Sequence, residues 1–140
     1  MAGGRIANMT NEIQKLVYPE LSYKLNGIMF ATHNELERYK SEKQYGDAIE
    51  QQLKYFAIQY TREQILPPLF PGESEGRNRI DFLIDDKIIL EIKAKRIISR
   101  QEYCQVRRYR YLESCRKKLG ILVNFQAKCL RPKRILNSML

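Results

Sequence analysis

The chain has 140 residues and a formal charge of +9, a length that fits one domain able to bury a core. Its three cysteines, Cys104, Cys115 and Cys129, form no CxxC pair, which argues against a disulfide framework or a structural zinc site and fits a reducing compartment. No apolar run reaches transmembrane length and no signal peptide is visible, so no membrane association is expected and a cytoplasmic location is.

In chain order, residues 1–15 read as a flexible leader, opening on Met1-Ala2-Gly3-Gly4 with Met9 as an alternative start, and residues 16–140 as a single domain. Pro19 suits the first turn of a helix, and Leu21, Leu25, Met29 and Phe30 recur at helical spacing to about Leu36. His33, the only histidine, has no accompanying His or Cys pattern and reads as a packed or surface residue. A second helix fits about Ser41 to Phe56, with Ser41 as N-cap and Tyr45, Ile49 and Leu53 as its apolar stripe. Glu42 lies beside that stripe, where an acid at a helix start is ordinarily a dipole-favoured cap. Ile58 to Ile65 reads as a strand, and the stretch from Leu66 to Asn78, with Pro67, Pro68, Pro71, Gly72 and Gly76, as a loop.

The segment Arg79-Ile80-Asp81-Phe82-Leu83-Ile84-Asp85-Asp86-Lys87-Ile88-Ile89-Leu90-Glu91-Ile92-Lys93 reads as a β-hairpin, two apolar runs around a polar turn. Asp81, Glu91 and Lys93 interrupt strands that otherwise look buried. Alternation puts Ile80, Phe82 and Ile84 on one face with Ile88, Leu90 and Ile92, and Asp81, Glu91 and Lys93 on the other. If both apolar sets meet one core, Phe82 pairs with Leu90 and Asp81 with Glu91. That register needs an odd turn such as Asp85-Asp86-Lys87, because a two-residue turn would put one apolar set on the wrong face. Two facing acids repel without a cation, so a divalent ion or Lys93 is called for. Two acids and a lysine so placed point to a magnesium-dependent phosphodiesterase site; the alternative is a solvated strand face with an ordinary Glu–Lys pair.

After the hairpin, Ser99 is positioned to cap a helix from about Arg100 to Lys117. Ile121-Leu122-Val123-Asn124-Phe125 after Gly120 is a near-continuous apolar run typical of a buried strand. Lys133 to Leu136 adds a short edge strand. The order allows a mixed sheet with helices packed on it, and the strand–helix–strand step should be right-handed if its strands are parallel.

Charge is unevenly placed: residues 1–75 hold 8 Lys and Arg against 10 Asp and Glu, whereas residues 76–140 hold 17 against 6. A polyanion is the natural partner of the second half, with binding that weakens steeply in salt; a solubilising surface is the alternative. Lys95, Arg96, Arg107, Arg108, Arg110 and Lys117, with Arg116 and Lys118, are candidates to hold a nucleic-acid backbone without reading its bases. Tyr103, Tyr109 and Tyr111 either stack on bases or pack into the core. No helix-turn-helix or zinc-finger pattern is present.

The chain resembles the PD-(D/E)XK nuclease superfamily and, more narrowly, the small proteins called the GxxExxxR family. The resemblance rests on Tyr18-Pro19-Glu20-Leu21-Ser22-Tyr23-Lys24, Asp81-Phe82-Leu83, Glu91-Ile92-Lys93-Ala94, Leu119-Gly120-Ile121-Leu122-Val123-Asn124-Phe125 and Pro132-Lys133-Arg134-Ile135-Leu136. It implies an α/β fold with a restriction-endonuclease-like αβββαβ core, a mixed central sheet flanked by helices. It implies Asp81 and Glu91 as ligands of Mg2+ or Mn2+, and Glu42 as the early-helix acid completing that shell. It also implies Lys93 as the group that orients the attacking water or offsets phosphorane charge, and Gln105 as a supporting glutamine. Tyr39 and Gly46 stand where the family nickname has glycine and arginine, and Ile80 precedes Asp81 where the superfamily name has proline.

The expected function is a metal-dependent nuclease acting on DNA more readily than RNA, structure-selective or weakly sequence-selective. A Holliday-junction resolvase-like role falls within that reading, and a homodimer would suit it. The alternatives are a non-catalytic nucleic-acid-binding module of the same fold, and an interaction protein whose basic half binds an acidic partner.

Overall fold

The computed structural model describes residues 17–68, 70–106 and 116–137. The leader expected over residues 1–15 lies outside the described residues, as do Arg107, Arg108, Tyr109, Arg110, Tyr111 and Cys115. Two helices come first, α1 over Pro19–Leu36 and α2 over Glu42–Tyr55. Pro19 opens α1, where its missing N–H costs nothing. Leu25, Ile28 and Met29 turn inward, together with Ser22 and Thr32. Thr32 remains satisfied inside: its hydroxyl donates to the Ile28 carbonyl at 2.8 Å and accepts from Gln52 Nε2 at 2.7 Å. Phe30 departs from the expected stripe and is 44% exposed. It sits one step, about 100°, past Met29 around the helix, and Ile28 takes the inward place. Ser41 caps α2 in a reciprocal pair with Gln44: Gln44 N donates to Ser41 Oγ at 3.1 Å, and Ser41 N donates to Gln44 Oε1 at 2.9 Å. Tyr45, Ile49 and Leu53 are fully buried, as their spacing implied. His33 is packed, its Nε2 lying 2.9 Å from the Ala127 carbonyl oxygen.

Five strands form one sheet in the order β1-β2-β3-β4-β5. They are β1 (Tyr60–Ile65), β2 (Arg79–Ile84), β3 (Ile88–Lys93), β4 (Leu119–Asn124) and β5 (Lys133–Leu136). Pairing is antiparallel except between β3 and β4, which run parallel and are joined through α3 (Arg100–Cys104). The chain order α2, β1, β2, β3, α3, β4 is the αβββαβ core expected of a restriction-endonuclease-like fold. Of the helix expected from about Arg100 to Lys117, α3 supplies Arg100–Cys104, and residues 107–115 lie outside the described residues. No helix among the described residues is long and apolar enough to cross a membrane.

The sheet buries both faces. Phe82, Ile84, Leu90, Ile92, Ile121 and Val123 pack with Leu25, Met29, Ile49 and Leu53 of α1 and α2. Leu83, Ile89, Leu122 and Ile135 pack on the opposite side with Leu66 and Val106. A strand covered on both faces needs apolar residues at every position, which is why β3 and β4 read as nearly unbroken apolar runs.

The hairpin has the expected register, with Phe82↔Leu90, Leu83↔Ile89 and Ile84↔Ile88 around the turn Asp85-Asp86-Lys87. Asp85 and Asp86 take left-handed backbone angles, φ 51° and 54°, which Asp tolerates better than most residues. Two expectations need correction. Ladder pairing stops at Phe82↔Leu90, so Asp81 and Glu91 are not an ordinary cross-strand pair. Ile80 does not share the core of Phe82 and Ile84; it packs in the opposite layer with Leu83 and Ile89. The cause is a local break in alternation. On the outer side the ladder runs to Arg62↔Phe82 and resumes at Gln64↔Ile80, skipping Glu63 and Asp81, and Glu63 has a left-handed φ of 56°. Such a kink in an edge strand disturbs the local pairing and re-aims the neighbouring side chains.

Candidate active site

Where the ladder ends, two buried backbone amides lose their carbonyl partners and must find other acceptors. The acids supply them. Asp81 N donates to Glu91 Oε1 at 2.9 Å, and Ile92 N donates to Asp81 Oδ2 at 2.7 Å. The two carboxyl groups are thereby drawn together between β2 and β3, and Glu91 is only 3% exposed. Burial drives the Glu91 carboxyl well above the usual carboxylate range, and the neighbouring Asp81 charge pushes it further. Burial also raises Asp81; the Ile92 amide and the Lys93 charge pull it back, while Glu42 adds to the upward push.

Lys93 ends β3 half-buried, and its carbonyl accepts from Phe125 N at 2.8 Å. Glu42 begins α2, and its Oε1 accepts from Ala94 N at 3.3 Å, tying the helix start to the residue after Lys93. Glu42, Asp81, Glu91 and Lys93 thus gather at one end of the hairpin. Beside Asp81 opens a recess of about 250 Å³, walled by Glu42, Lys43 and Gly46 of α2, by Arg62 and Glu63 of β1, and by Phe82 and Ile92.

Among the described residues, no three His, Cys, Asp or Glu side chains are grouped to hold a metal ion. The donor chemistry of Asp81 and Glu91 nevertheless fits a hard divalent cation. Two adjacent carboxyls offer oxygen ligands and repel one another unless a proton or a cation intervenes, and magnesium needs few protein carboxylates when waters or phosphate oxygens complete its shell.

The other sequence candidates are more scattered. Gln105 is half-buried at the C-cap of α3, its backbone N–H donating to the Gln101 and Glu102 carbonyls, and makes no hydrogen bond to Glu42, Asp81, Glu91 or Lys93. Lys95 pairs its ammonium with Glu102. Its backbone is clasped by Asn124, which accepts from Lys95 N at 3.1 Å and donates to Lys95 O at 2.7 Å. Arg96 is exposed. Lys117 lies elsewhere: its Nζ contacts Asp86 Oδ1 at 2.9 Å and the Asp86 carbonyl at 3.0 Å, at the turn end of the hairpin. The length of β3 separates it from Lys93, roughly 20 Å at strand rise. Tyr103 packs against the second core layer.

Three residues near the site escaped sequence reasoning. Arg62 and Gly46 meet across the recess, and Asn124 faces Lys93 in the β3–β4 register and holds the chain that follows it. An arginine on an edge strand, a glycine in a helix and an asparagine at a strand end carry no sequence signal that sets them apart.

A family model described as the PD-(D/E)XK nuclease superfamily matches residues 19–135. No curated protein and no solved structure matches the chain.

Proposed function

The chain belongs to the PD-(D/E)XK nuclease superfamily, and from that premise we propose that it is a metal-dependent nuclease hydrolysing phosphodiester bonds of DNA, with structure-selective or weak sequence preference. The observation that carries the reading is the meeting of Asp81 and Glu91 through their cross-strand hydrogen bonds, with the Lys93 charge acting on both. Within the superfamily the proposed affiliation is with the GxxExxxR proteins, on the motifs quoted above.

In this reading Asp81 and Glu91 would hold Mg2+ or Mn2+, and Glu42, at the start of α2, would add a third acid only by moving toward them. Such an ion would polarise the scissile phosphate and lower the pKa of a bound water. The chain's own groups do the rest. Lys93 carries an ammonium two residues from Glu91 and donates to the attacking water or to a phosphate oxygen as negative charge builds. Burial of Glu91 keeps bulk water from dispersing the local field, so each charge acts more strongly than it would in solution. Arg96 and Lys95, beyond the end of β3, with Arg107, Arg108 and Arg110, would contact the nucleic-acid backbone and set the substrate's position rather than its sequence; Lys117, bound to Asp86 at the turn end, would reach only a substrate that extends along the hairpin. A cytoplasmic location and a homodimer belong to the same proposal.

The test is a cleavage assay with magnesium or manganese on linear, single-stranded, flapped and four-way DNA, comparing wild type with Asp81→Ala and Lys93→Ala. Wild type is expected to cut at least one of these substrates. Each variant, still folded, should be slower by roughly 100-fold or more, the scale of losing one preorganised charge-stabilising group. A wild-type protein that binds every substrate and cuts none would make the chain a non-catalytic binding module of this fold.

A further inference from the structure

Arg62 has no part in the reading above, yet it is firmly held at the mouth of the same site. It reaches from edge strand β1 to α2, where its Nη1 donates to Asp47 at 2.7 Å and to Glu50 at 3.4 Å. Its guanidinium also lies over the Phe82 ring, 5.4 Å from the centroid. Only 19% of the side chain is exposed. Gly46 makes this position available: a Cβ there would come within 2.6 Å of Arg62 Nη2. A glycine in mid-helix weakens a helix relative to alanine, and here it lets the guanidinium lie flat against α2.

Among the described residues, the hydrogen bonds of Arg62 run through Nη1. Nη2 and Nε make none of these bonds; Nη2 is the nitrogen nearest the open Cα of Gly46, and Arg62 lines the recess that also contains Asp81. A guanidinium whose Nε and Nη2 N–H groups are unused carries two parallel donors, the arrangement that matches two oxygens of one phosphate. Asp47 and Glu50 hold Nη1, so the guanidinium is oriented in advance and loses little freedom on binding. Glu42, Glu63 and Asp81 share the walls and Asp47 and Glu50 already pair with Arg62, so a phosphate entering here depends on Arg62 and Lys43, and on the cation of the nuclease reading beside Asp81, to offset the acids.

We propose that Arg62 binds a backbone phosphate of the nucleic acid in this recess, next to the phosphate attacked beside Asp81, and so positions the substrate. The proposal rests on the nuclease reading and adds a contact from a strand that carries none of the expected site residues.

It is tested by fluorescence anisotropy with fluorescein-labelled single-stranded and duplex DNA, in EDTA across a salt series, for wild type, Arg62→Ala, Arg62→Lys, Gly46→Ala and Asp81→Ala. Melting curves and the cleavage assay are run on the same proteins. Arg62→Ala is expected to bind about tenfold more weakly and to lower the slope of log affinity against log salt by roughly 0.7–0.9, one phosphate contact. Arg62→Lys should restore the slope but only part of the affinity, because a point charge cannot make the paired contact. Gly46→Ala displaces Nη2 without removing charge; it should melt no lower than wild type and still bind more weakly, which a purely structural Arg62 does not predict. If Arg62→Ala unfolds, the lysine and Gly46 variants decide the matter. Wild-type affinity and slope in the Arg62 and Gly46 variants, alongside an Asp81→Ala protein that binds but does not cut, would overturn the Arg62 contact and leave the nuclease reading standing. A wild-type protein that binds neither DNA at low salt would overturn both.

Discussion

Glu91 carries the largest electrostatic cost at the site. Its carboxyl is nearly inaccessible, faces Asp81, and is held protonated to a pH well above the ordinary carboxylate range, first by burial and then by the Asp81 charge. The folded chain without metal therefore binds a proton that the unfolded chain releases. The stability this contributes is fully present below the unfolded value near 4.5 and is lost as pH rises through the elevated folded value. Glu91→Gln keeps the acceptor for Asp81 N and removes the ionisation. We expect it to melt higher than wild type at neutral pH, by on the order of 5 °C, with a flatter dependence of melting temperature on pH and no cleavage. Calorimetry from acid to neutral pH checks this, and a variant melting lower than wild type throughout would contradict it. The same physics drew attention to Asp81, Glu91 and Lys93 in the sequence, because ionisable groups inside apolar runs need partners, and the two acids do meet. Arg62 and Asn124 were not legible. They come from distant strands, are of ordinary polar type, and acquire meaning only beside Gly46 and Lys95.

The elements position these groups through register and caps. The three-residue turn Asp85-Asp86-Lys87 fixes Phe82 opposite Leu90 and so brings Asp81 and Glu91 level at the ladder's end. Ser41 and Gln44 cap α2, and the residue after the cap, Glu42, reaches back to Ala94 behind Lys93. Ser41→Ala should cost about 1 kcal/mol in urea unfolding. If the start of α2 helps to order the site, it should also lower the cleavage rate by more than a distant substitution of equal cost; a loss of stability with unchanged cleavage would separate the cap from the site. Cap and register were readable because Ser41, Gln44 and the alternation of apolar residues are local signals. The break at Asp81 was not readable. It depends on the left-handed backbone of Glu63 in β1, a conformation that a glutamate does not announce, and it moves Ile80 to the opposite core layer.

At the scale of the molecule, the parallel pair β3–β4 lies inside the sheet with apolar cover on both faces, and the acids collect at the end of β3 beside the start of α2. The mixed sheet was legible because a strand, a helical segment and the near-continuous apolar run after Gly120 allow a strand–helix–strand step; that its strands run parallel, with β3 covered on both faces, was left open by the sequence. The distribution of positive charge was less legible. Residues 76–140 carry the excess, but Lys117 faces Asp86 at the turn while Lys95 binds Glu102 at the other end of β3, so a count of basic residues does not define one surface. The central claim is that Asp81, Glu91 and Lys93 act as one hydrolytic unit. Groups that act together give losses that do not multiply. The most direct measurement is single-turnover DNA cleavage in magnesium by wild type, Asp81→Ala, Lys93→Ala and the double variant. The account predicts that the double variant is no slower than the worse single one; multiplied losses, or wild-type cleavage by Lys93→Ala, would contradict it.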